Sequence, residues 1–360
     1  MKKTILIMAA GTGGHVFPAL AVAKAFEKAG HRVAWLGTRN GIEYEKIRAE
    51  GIPFYELSIM GLRGKNVQTL LKAPFAIAQA VWQARAVIKK EKPDLVLGFG
   101  GYVTGPGGVA AFLSGVPLVI HEQNAILGLS NRLLSKVAKA CLEAFPGTFP
   151  AQKQALLTGN PIREAFLNIP PPNERFQGRQ GPVRLLVLGG SLGAKLLNET
   201  VPAALLALPP EWQPEVRHQA GPKLFEMAQN AYVGYPCASV TPFIDNMAEA
   251  YAWADLVICR AGALTVSEVA AAGVPAIFVP YLHAVDDHQT ANAQSLVKQN
   301  AAFLLPQLEC TALRLGEMLK GLMQDLTGRL NTAQNARNLA VLDATHRVQN
   351  KVISILEAKS

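Results

Sequence analysis

The stretch ILIMAAGTGGHVFPALAVAKAF (residues 5–26) decides the fold, because a glycine-rich turn joins an apolar run of strand length to a helical pattern. A second stretch, LLVLGGSLGAKLLNETVPAALL (185–206), repeats this order. Other runs of strand length occur at 31–38, 94–100, 117–123, 214–221, 255–262 and 275–281. Several of the runs lack polar alternation, which is typical of strands buried on both faces of a parallel sheet. Alternating strands and helices predict an α/β chain of two Rossmann-like, doubly wound parallel-sheet domains with a central cleft.

The boundary between the two halves is predicted from GNPIREAFLNIPPPNERFQGRQGP (159–182), which we interpret as a linker because prolines and glycines interrupt it. A chain of 360 residues is long enough for two cores. We therefore predict an N-terminal domain over 1–162 and a C-terminal domain over 163–340. A C-terminal helix within 341–360, with Val348, Val352, Ile355 and Leu356 at helical spacing, is predicted to return to the N-terminal domain.

Composition limits the class of protein and of partner. Half of the residues are hydrophobic and 17% are charged, which indicates a globular chain. The formal charge of +9 favours an anionic partner, such as nucleic acid, anionic lipid or a phosphorylated small molecule. Four scattered cysteines fit a reducing, cytoplasmic compartment. We interpret MKKTILIMAA (1–10) as a first strand and not as a secretory signal, and we expect no membrane-spanning segment.

The two glycine turns, GTGG (11–14) and GGSLG (189–193), allow a phosphate to approach the backbone at a helix N-terminus. Each turn alone is a weak indication. The fingerprint of NAD-dependent dehydrogenases is excluded, since Val16 occupies its third glycine position and HRVAWLGTRN (31–40) contains no acid. A P-loop is excluded because GGSLGAKL (189–196) lacks the required GK[ST].

The stretch RAGALTVSEVAAAGVPAIFVPYLHAVDDHQTANA (260–293) predicts a nucleotide-sugar site. Arg260 is placed to meet a diphosphate, and Glu268, early in a helix, to accept both hydroxyls of a ribose. The polar loop that follows can bind a sugar through Asp286, Asp287, His288, Gln289 and Asn292. The alternative is that Glu268 caps its helix and that the loop is only solvated.

Several motifs together resemble a known family: GTGGHVFPALAVA (11–23), GGYVTGPGG (100–108), HEQNAILGLSNRLL (121–134), GNPIR (159–163), GGSLGA (189–194) and the 260–293 stretch. In this order they are similar to the MurG family within glycosyltransferase family 28. These bacterial enzymes transfer N-acetylglucosamine (GlcNAc) from UDP-GlcNAc to lipid I and so form lipid II. The resemblance covers essentially the entire chain and implies a GT-B fold.

The resemblance implies an inverting hexosyltransferase in peptidoglycan synthesis, and hence in cell-wall biogenesis, cell shape and cell division. The acceptor is the C4 hydroxyl of the N-acetylmuramic acid (MurNAc) of lipid I, an undecaprenyl-diphosphate-linked sugar. The alternative is another GT-B enzyme acting on a UDP-sugar, with a different acceptor or as a UDP-GlcNAc epimerase or hydrolase. GGYVTGPGG and HEQN favour the first interpretation, because they should form the acceptor side.

The donor-site residues that the resemblance implies fall in both halves of the chain. They are Thr12, Gly13, Gly14, Asn124, Arg163, Ser191, Ile244, Ala263, Leu264, Thr265, Val266, Ser267, Glu268 and Gln289. Ser191 is expected to hold a phosphate and Ile244 to present its backbone to the uracil. Glu268 is expected to bind the ribose, and Gln289 the hydroxyls of the GlcNAc.

His15 is the candidate catalytic base, because the pKa of an imidazole lies near neutrality. The alternative is that His15 only hydrogen-bonds the acceptor or orients the turn. Glu122 and Asn124 are expected to be positioning groups. Adjacent Asp286 and Asp287 do not form a D-x-D motif, so we expect no obligatory metal, and stimulation by Mg²⁺ remains open.

The stretch 57–90 contains basic and apolar residues but no acid, which is typical of a surface that meets anionic lipid. The predicted membrane patch consists of Arg63, Lys65, Leu71, Lys72, Phe75, Trp82 and Arg85, extended by Phe112 and Lys136. The alternative is a core helix with solvated lysines. The resemblance places the protein peripherally on the cytoplasmic face of the inner membrane, with other cell-wall synthesis proteins as candidate partners. Nucleic acid ranks well below lipid as a partner, since no nucleic-acid-binding module is visible.

Overall fold

The computed structural model describes residues 2–59 and 67–358, with side chains for all of these except residues 67–72 and Val285. The chain divides into two compact units. Unit 1 comprises Met1–Arg163 with Val341–Ser360, and unit 2 comprises Glu164–Ala340. None of the helices in the described ranges is long and apolar enough to cross a membrane.

Unit 1 is built on a parallel sheet, with seven strands among the described residues in the order β3-β2-β1-β4-β5-β6-β7. The strands are β1 (Thr4–Met8), β2 (Arg32–Gly37), β3 (Phe54–Glu56), β4 (Leu95–Gly98), β5 (Leu118–Glu122), β6 (Ala140–Glu143) and β7 (Leu156–Leu157). Ile5 of β1 lies beside Val33 of β2 and Leu95 of β4. The strand order reverses between β1 and β4, which makes this the switch point of a doubly wound sheet.

Helices cover both faces of the unit 1 sheet. They include α1 (Gly13–Lys28), α2 (Glu43–Ala49), α3 (Val67–Glu91), α4 (Thr104–Leu113) and α5 (Leu129–Leu134). Ile5 of β1 joins a buried cluster with Phe26 of α1, whereas the next residue, Leu6, joins a cluster with Ala84 of α3 and Ala110 of α4. Successive strand side chains point to opposite faces. The unbroken apolar character of this strand is therefore explained by burial on both sides.

Unit 2 repeats the architecture, with six strands in its described residues in the order β10-β9-β8-β11-β12-β13. The strands are β8 (Arg184–Leu188), β9 (Glu215–Gln219), β10 (Ala238–Thr241), β11 (Leu256–Cys259), β12 (Ala276–Phe278) and β13 (Phe303–Leu304). All pairs are parallel. The switch point lies between β8 and β11, so the predicted doubly wound α/β class is confirmed in both units.

Unit 2 also contains helices, which surround this second sheet and one another. They are α6 (Pro172–Arg175), α7 (Lys195–Leu206), α8 (Phe225–Ala231), α9 (Met247–Trp253), α10 (Ala263–Ala272), α11 (His288–Val297), α12 (Ala312–Gln324) and α13 (Leu326–Asn338). Val187 of β8 is fully buried in one cluster with Val201 of α7 and Leu315 of α12.

The last helix, α14 (Ala344–Glu357), lies in unit 1. Val348, Val352, Ile355 and Leu356, the residues at helical spacing, are buried in the cluster that contains Phe26 of α1. Gln349 also donates a hydrogen bond to Ala25 O, at 3.0 Å.

The interpretation of 159–182 as a linker is wrong for most of its length. The division between the units follows Arg163, and the next residues pack onto unit 2. Phe166 is fully buried with its ring 5.4 Å from that of Tyr251, and Arg175 donates to the carbonyl oxygens of Ala272 and Gly273, both at 2.6 Å. The prolines shape a compact segment here, since one of them begins α6, a position that proline tolerates.

Candidate active site

The candidate residues cluster at the carboxyl ends of the central strands, where doubly wound sheets bind their ligands. In unit 1, the first glycine turn follows β1 and residues 99–103 follow β4. In unit 2, the second glycine turn follows β8 and residues 260–262 follow β11. Each pair of strands flanks a switch point, so the fold brings the predicted motifs of each unit together.

The first glycine turn presents His15 near the start of α1. Gly11 has a φ of +99°, and Thr12 is the residue that precedes the helix, with extended backbone and no side-chain cap. The Thr12 hydroxyl lies 3.3 Å from His15 Nδ1. When Nδ1–H donates to this hydroxyl, the ring lone pair is on Nε2, which is the arrangement a general base needs.

Gly100 provides the space for the His15 ring. Its φ is +90°, and a Cβ at this position would lie 2.8 Å from His15 Cδ2 and 3.1 Å from His15 Nε2. The next residue, Gly101, has a φ of +77°, and a Cβ there would collide with Ala10 O. The two glycines that begin the GGYVTGPGG motif therefore allow the loop after β4 to pack directly against the turn after β1.

Glu43, the first residue of α2, is a buried acid that the sequence analysis missed. One carboxylate oxygen accepts hydrogen bonds from Thr38 N at 3.1 Å and Thr38 Oγ1 at 2.8 Å, and the other accepts from Gly11 N at 3.3 Å. Thr38 Oγ1 also lies 3.1 Å from Tyr102 OH. Glu43 thus fixes the first glycine turn from a helix that follows the second strand.

The HEQN motif begins in β5 and is anchored by Glu122. One oxygen of this buried carboxylate accepts from Asn124 N at 3.1 Å and Asn124 Nδ2 at 3.3 Å. The other accepts from Gly128 N at 3.1 Å and Asn131 Nδ2 at 2.9 Å. These bonds orient the Asn124 amide, which agrees with a positioning role for Glu122.

His121 and Gln123 form a second buried arrangement in the same motif. His121 Nε2 lies 3.0 Å from Gly159 O, and its Nδ1 lies 3.0 Å from Gln123 Nε2. Complete burial lowers the pKa of His121 to about 4, so the ring is neutral, with Nε2–H donating and Nδ1 accepting. This orientation turns Gln123 Oε1 toward the loop after β4, within 3.3 Å of where a Gly100 Cβ would be.

The second glycine turn exposes Ser191 in front of α7. Gly190 and Gly193 both have a φ of +79°, and a Cβ on Gly193 would collide with Ala220 O. Ala194 precedes the helix without a side-chain cap. The first N–H groups of α7 are therefore not taken by a capping side chain, which is the condition for holding a phosphate.

The side chain of Gln219, a residue not predicted from the sequence, connects Ile244 to this turn. Gln219 Oε1 accepts from Ile244 N at 3.2 Å, and Gln219 Nε2 donates to Gly190 O at 3.0 Å. The N–H of Ile244 is therefore engaged within the protein. Its carbonyl is the backbone group that it would offer to a uracil.

Glu268 is the sixth residue of α10, and the interpretation that it caps this helix is wrong. Gly262 precedes the helix and provides no side-chain cap. Glu268 is 6% exposed and lies close enough to Cys259 that its charge, added to the larger effect of burial, raises the pKa of that thiol. The rest of the predicted run, Ala263 to Ser267, forms the first turns of α10 at the switch point.

Arg260 makes contacts that the sequence did not reveal. Its Nη1 donates to Val279 O at 3.0 Å and to Gln307 Oε1 at 2.8 Å, and its guanidinium lies 5.4 Å from the ring centroid of Tyr281. Burial lowers the pKa of Arg260. Arg260 therefore anchors the chain after β12, in addition to the predicted contact with a diphosphate.

Gln289, the second residue of α11, ties two loops together. Its Oε1 accepts from Ala261 N at 3.3 Å and from Tyr281 N at 2.9 Å. The amide oxygen is therefore turned toward the protein, and Nε2 is the group that Gln289 would offer to a sugar hydroxyl.

Arg163, Asp286 and Asp287 are further residues predicted from the sequence. The Arg163 guanidinium, at the end of unit 1, lies 6.0 Å from the ring centroid of Phe17. Asp286 and Asp287 have φ values of +53° and +51°, and Thr290 Oγ1 donates to Asp287 Oδ1 at 2.7 Å. Within the described part of the chain, no group of three or more His, Cys, Asp or Glu side chains is placed to hold a metal ion.

Comparison with known families matches both units. Residues 5–143 match the glycosyltransferase family 28 N-terminal domain, and residues 184–348 match the glycosyltransferase family 28 C-terminal domain. The chain belongs to glycosyltransferase family 28. The predicted resemblance is confirmed, and this family 28 member is a glycosyltransferase.

Individual relatives agree with the family assignment. The chain is 53% identical over 357 residues to a Pseudomonas fluorescens protein named UDP-N-acetylglucosamine--N-acetylmuramyl-(pentapeptide) pyrophosphoryl-undecaprenol N-acetylglucosamine transferase, with 99% of each chain covered. The crystal structure of Acinetobacter baumannii MurG is 44% identical, with a TM-score of 0.84, 98% of this chain covered and 99% of that one. CalG4, the calicheamicin glycosyltransferase, covers all of both chains at 16% identity and a TM-score of 0.70, which shows the fold alone. The predicted GT-B fold class is thus confirmed.

The family 28 chain also has an exposed apolar surface on unit 1. Phe75 and Trp82 of α3 are 80% and 76% exposed, so the alternative that they belong to the core is wrong. Phe112 of α4 is exposed as well, and α5 adds Leu129 and Leu133, which the sequence analysis missed. We call these five residues the apolar surface of unit 1.

The basic residues of the predicted patch are described only in part. Arg85 and Lys136 are exposed on α3 and directly after α5. Arg63 and Lys65 lie outside the described residues, as do the side chains of Leu71 and Lys72.

Proposed function

We propose that this family 28 chain transfers GlcNAc from UDP-GlcNAc to the C4 hydroxyl of the MurNAc of lipid I, which gives lipid II for peptidoglycan synthesis. The observation that carries the proposal is the 53% identity over 357 residues to the P. fluorescens enzyme, whose name specifies this donor and a lipid-linked acceptor. The arrangement of the glycine turns and of the loops after β4 and β11 supports it.

The UDP part of the donor is assigned to unit 2. The N-terminus of α7 carries no side-chain cap, so its N–H groups and positive dipole end can face the diphosphate, with Ser191 adding a hydroxyl. The positive end of the α10 dipole lies at the same switch point. Glu268 accepts the ribose hydroxyls, and Gln289 Nε2 donates to the GlcNAc. The same positive ends stabilise the charge that develops on departing UDP.

His15 is assigned the role of base in unit 1. The C4 hydroxyl of the acceptor attacks the anomeric carbon, its proton passes to His15 Nε2, and the bond from the anomeric carbon to UDP breaks with both electrons leaving on UDP. The contact of Nδ1 with Thr12 Oγ1 and the space left by Gly100 favour Nε2 as the reacting atom. Direct displacement inverts the anomeric configuration, and no covalent intermediate with the enzyme is involved.

The apolar surface of unit 1 is assigned to the membrane. Exposed aromatic and leucine side chains beside Arg85 and Lys136 match the interface of a bilayer with anionic lipids. This assignment places the enzyme peripherally on the cytoplasmic face of the inner membrane, where lipid I is accessible. Other proteins of cell-wall synthesis are candidate partners there.

The reaction is tested by UDP release from UDP-GlcNAc, with and without a short-chain lipid I analogue. We expect release only with the analogue, together with a disaccharide product that carries a β-linked GlcNAc. Release without the analogue would indicate a hydrolase or epimerase. UDP binding without any release would leave the donor assignment intact and refute the acceptor assignment.

The role of His15 is tested with His15→Ala, and His346→Ala, an exposed histidine on α14 of the same unit, is the control. Loss of a general base costs about 100-fold to 10,000-fold in turnover. We expect a loss of this size in His15→Ala, with unchanged affinity for UDP, and no effect in the control. Turnover within threefold of that of the unmodified enzyme, which corresponds to about 0.65 kcal/mol, would exclude His15 as the base.

A further inference from the structure

Gln219 is the last residue of β9, a strand paired on both sides. Its backbone neighbours are Leu188 of β8 and Thr241 of β10, and the residue is 2% exposed. Its carbonyl oxygen accepts a hydrogen bond from Gly189 N at 3.1 Å, and the following Ala220 N donates to Thr241 O at 2.9 Å. The backbone of Gln219 is thus fixed by the sheet, directly beneath the two loops that follow β8 and β10.

The side-chain amide of Gln219 is used at both ends. Nε2 donates to Gly190 O at 3.0 Å, and Oε1 accepts from Ile244 N at 3.2 Å. A carbonyl oxygen requires a donor and an N–H requires an acceptor, so only one orientation of the amide satisfies both partners. The amide thus links Gly190, which lies 29 positions before Gln219, to Ile244, which lies 25 positions after it.

The glycine turn also packs against the segment that follows Gln219. A Cβ on Gly193 would collide with Ala220 O, and a Cβ on Gly221 would lie 2.5 Å from Gly193 Cα. The turn therefore touches the end of β9 through backbone atoms on one side and through the Gln219 amide on the other. Its position depends on this strand end and not only on β8 and α7.

We propose that Gln219 is a positioning residue that couples the diphosphate end of the donor site to its uracil end. This inference rests on the proposed function, in which Ser191, next to Gly190, holds a phosphate and Ile244 faces the uracil. One amide holds both loops, so each end of a bound UDP is met by a loop that is already in place. Without the amide, the two loops must be ordered separately, and both parts of the nucleotide bind more weakly.

The test compares dissociation constants for UDP and uridine in the full-length protein. Gln219→Leu has a similar volume and makes neither hydrogen bond. We expect about a tenfold or greater loss of affinity for UDP, a smaller but measurable loss for uridine, and a kcat within threefold at saturating UDP-GlcNAc. Gln213→Leu is the matched control, because Gln213 Nε2 donates to Leu208 O at 3.2 Å just before the other end of β9. It should leave both affinities unchanged.

A double-mutant cycle with Ser191→Ala separates positioning from a general loss of stability. Ser191→Ala alone should weaken UDP and leave uridine unaffected. In the Ser191→Ala background, Gln219→Leu should weaken UDP by a smaller factor than in the unmodified protein, because the phosphate contact that it positions is already lost. Fully multiplicative effects, or affinities in Gln219→Leu equal to those of Gln213→Leu, would overturn the inference.

Gln219→Met serves if Gln219→Leu does not fold. The unbranched, uncharged thioether follows the shape of glutamine more closely and makes neither hydrogen bond, so we expect the same pattern, a larger loss of affinity for UDP than for uridine. An equal loss for both ligands would overturn the inference. These readouts are binding constants and do not depend on transfer of GlcNAc. If the protein binds UDP but transfers no GlcNAc, the proposed function is refuted, and the same binding constants still test the role of Gln219.

Discussion

Replacing Gly100 by alanine tests whether this glycine positions the proposed base. The backbone at Gly100 has a φ of +90°, a region that costs an alanine about 1–2 kcal/mol. The new Cβ would lie 2.8 Å from His15 Cδ2, whereas ordinary contact begins at 3.4 Å. The ring must therefore shift by about half an ångström or more, and misplacement on the ångström scale costs about 100-fold in rate.

The matched control is Gly30→Ala, in the same unit. Gly30 has a φ of +82°, no atom lies within 4 Å of the Cβ that it would gain, and it follows the far end of α1, about 20 Å from His15. Both variants should lose thermal stability through the strained backbone, and Gly100→Ala should lose more because its Cβ also collides with His15. Only Gly100→Ala should show a lower kcat, by about 10-fold to 100-fold, while its affinity for UDP stays unchanged, since the UDP part of the donor is assigned to unit 2. A kcat equal to that of Gly30→Ala would refute the proposed contact between Gly100 and the base.

Two further predictions concern the membrane and pH. Trp82→Ala should reduce flotation with anionic vesicles about tenfold, because a large exposed apolar side chain is lost, and equal flotation with neutral vesicles would contradict a role for Arg85 and Lys136. Burial lowers the pKa of His121 to about 4 and that of His218 to about 3, so the folded protein keeps both rings neutral while the unfolded chain takes up protons below pH 6.5. The free energy of unfolding should therefore fall as pH decreases from 6.5 to 4, by about 1.4 kcal/mol per pH unit for each ring, with no such loss above pH 7. The check is to measure the free energy of unfolding by urea at several pH values between 4 and 6.5. In His218→Gln this free energy should fall less steeply with decreasing pH than in the unmodified protein, and an equally steep fall would contradict the assignment.

The central strands could be predicted from sequence, whereas the edge strands could not. Every apolar run that predicted a strand contains one in the structure, because strands covered on both faces need continuous apolar residues. The four strands at the sheet edges, β3, β7, β10 and β13, are two to four residues long and partly exposed, so no apolar run marks them. β6 was also missed, although it lies inside the sheet.

The glycine turns could be found from sequence because their chemistry is local, since a glycine between a strand and a helix leaves a characteristic pattern. The residues that hold the turns in place have no such pattern. Glu43 reaches Gly11 across 32 positions, and Gln219 reaches Gly190 across 29. Gln219 ends a strand and Glu43 begins a helix, and a sequence alone does not reveal which loop each side chain contacts. A buried polar side chain requires a hydrogen-bond partner, and this requirement is the only general reason to suspect that such residues hold a loop in place.

The charge of these two anchors distinguishes the two glycine turns. In unit 1 the Gly11 N–H donates to the carboxylate of Glu43, so a negative group already lies against the turn and opposes a second anion. In unit 2 the turn is held through the carbonyl of Gly190 by the neutral amide of Gln219, and the positive end of α7 keeps its attraction for a phosphate. Two turns that are nearly alike in sequence are therefore suited to different tasks. The difference favours the donor diphosphate at the second turn and uncharged groups, such as the sugar or the acceptor hydroxyl, at the first.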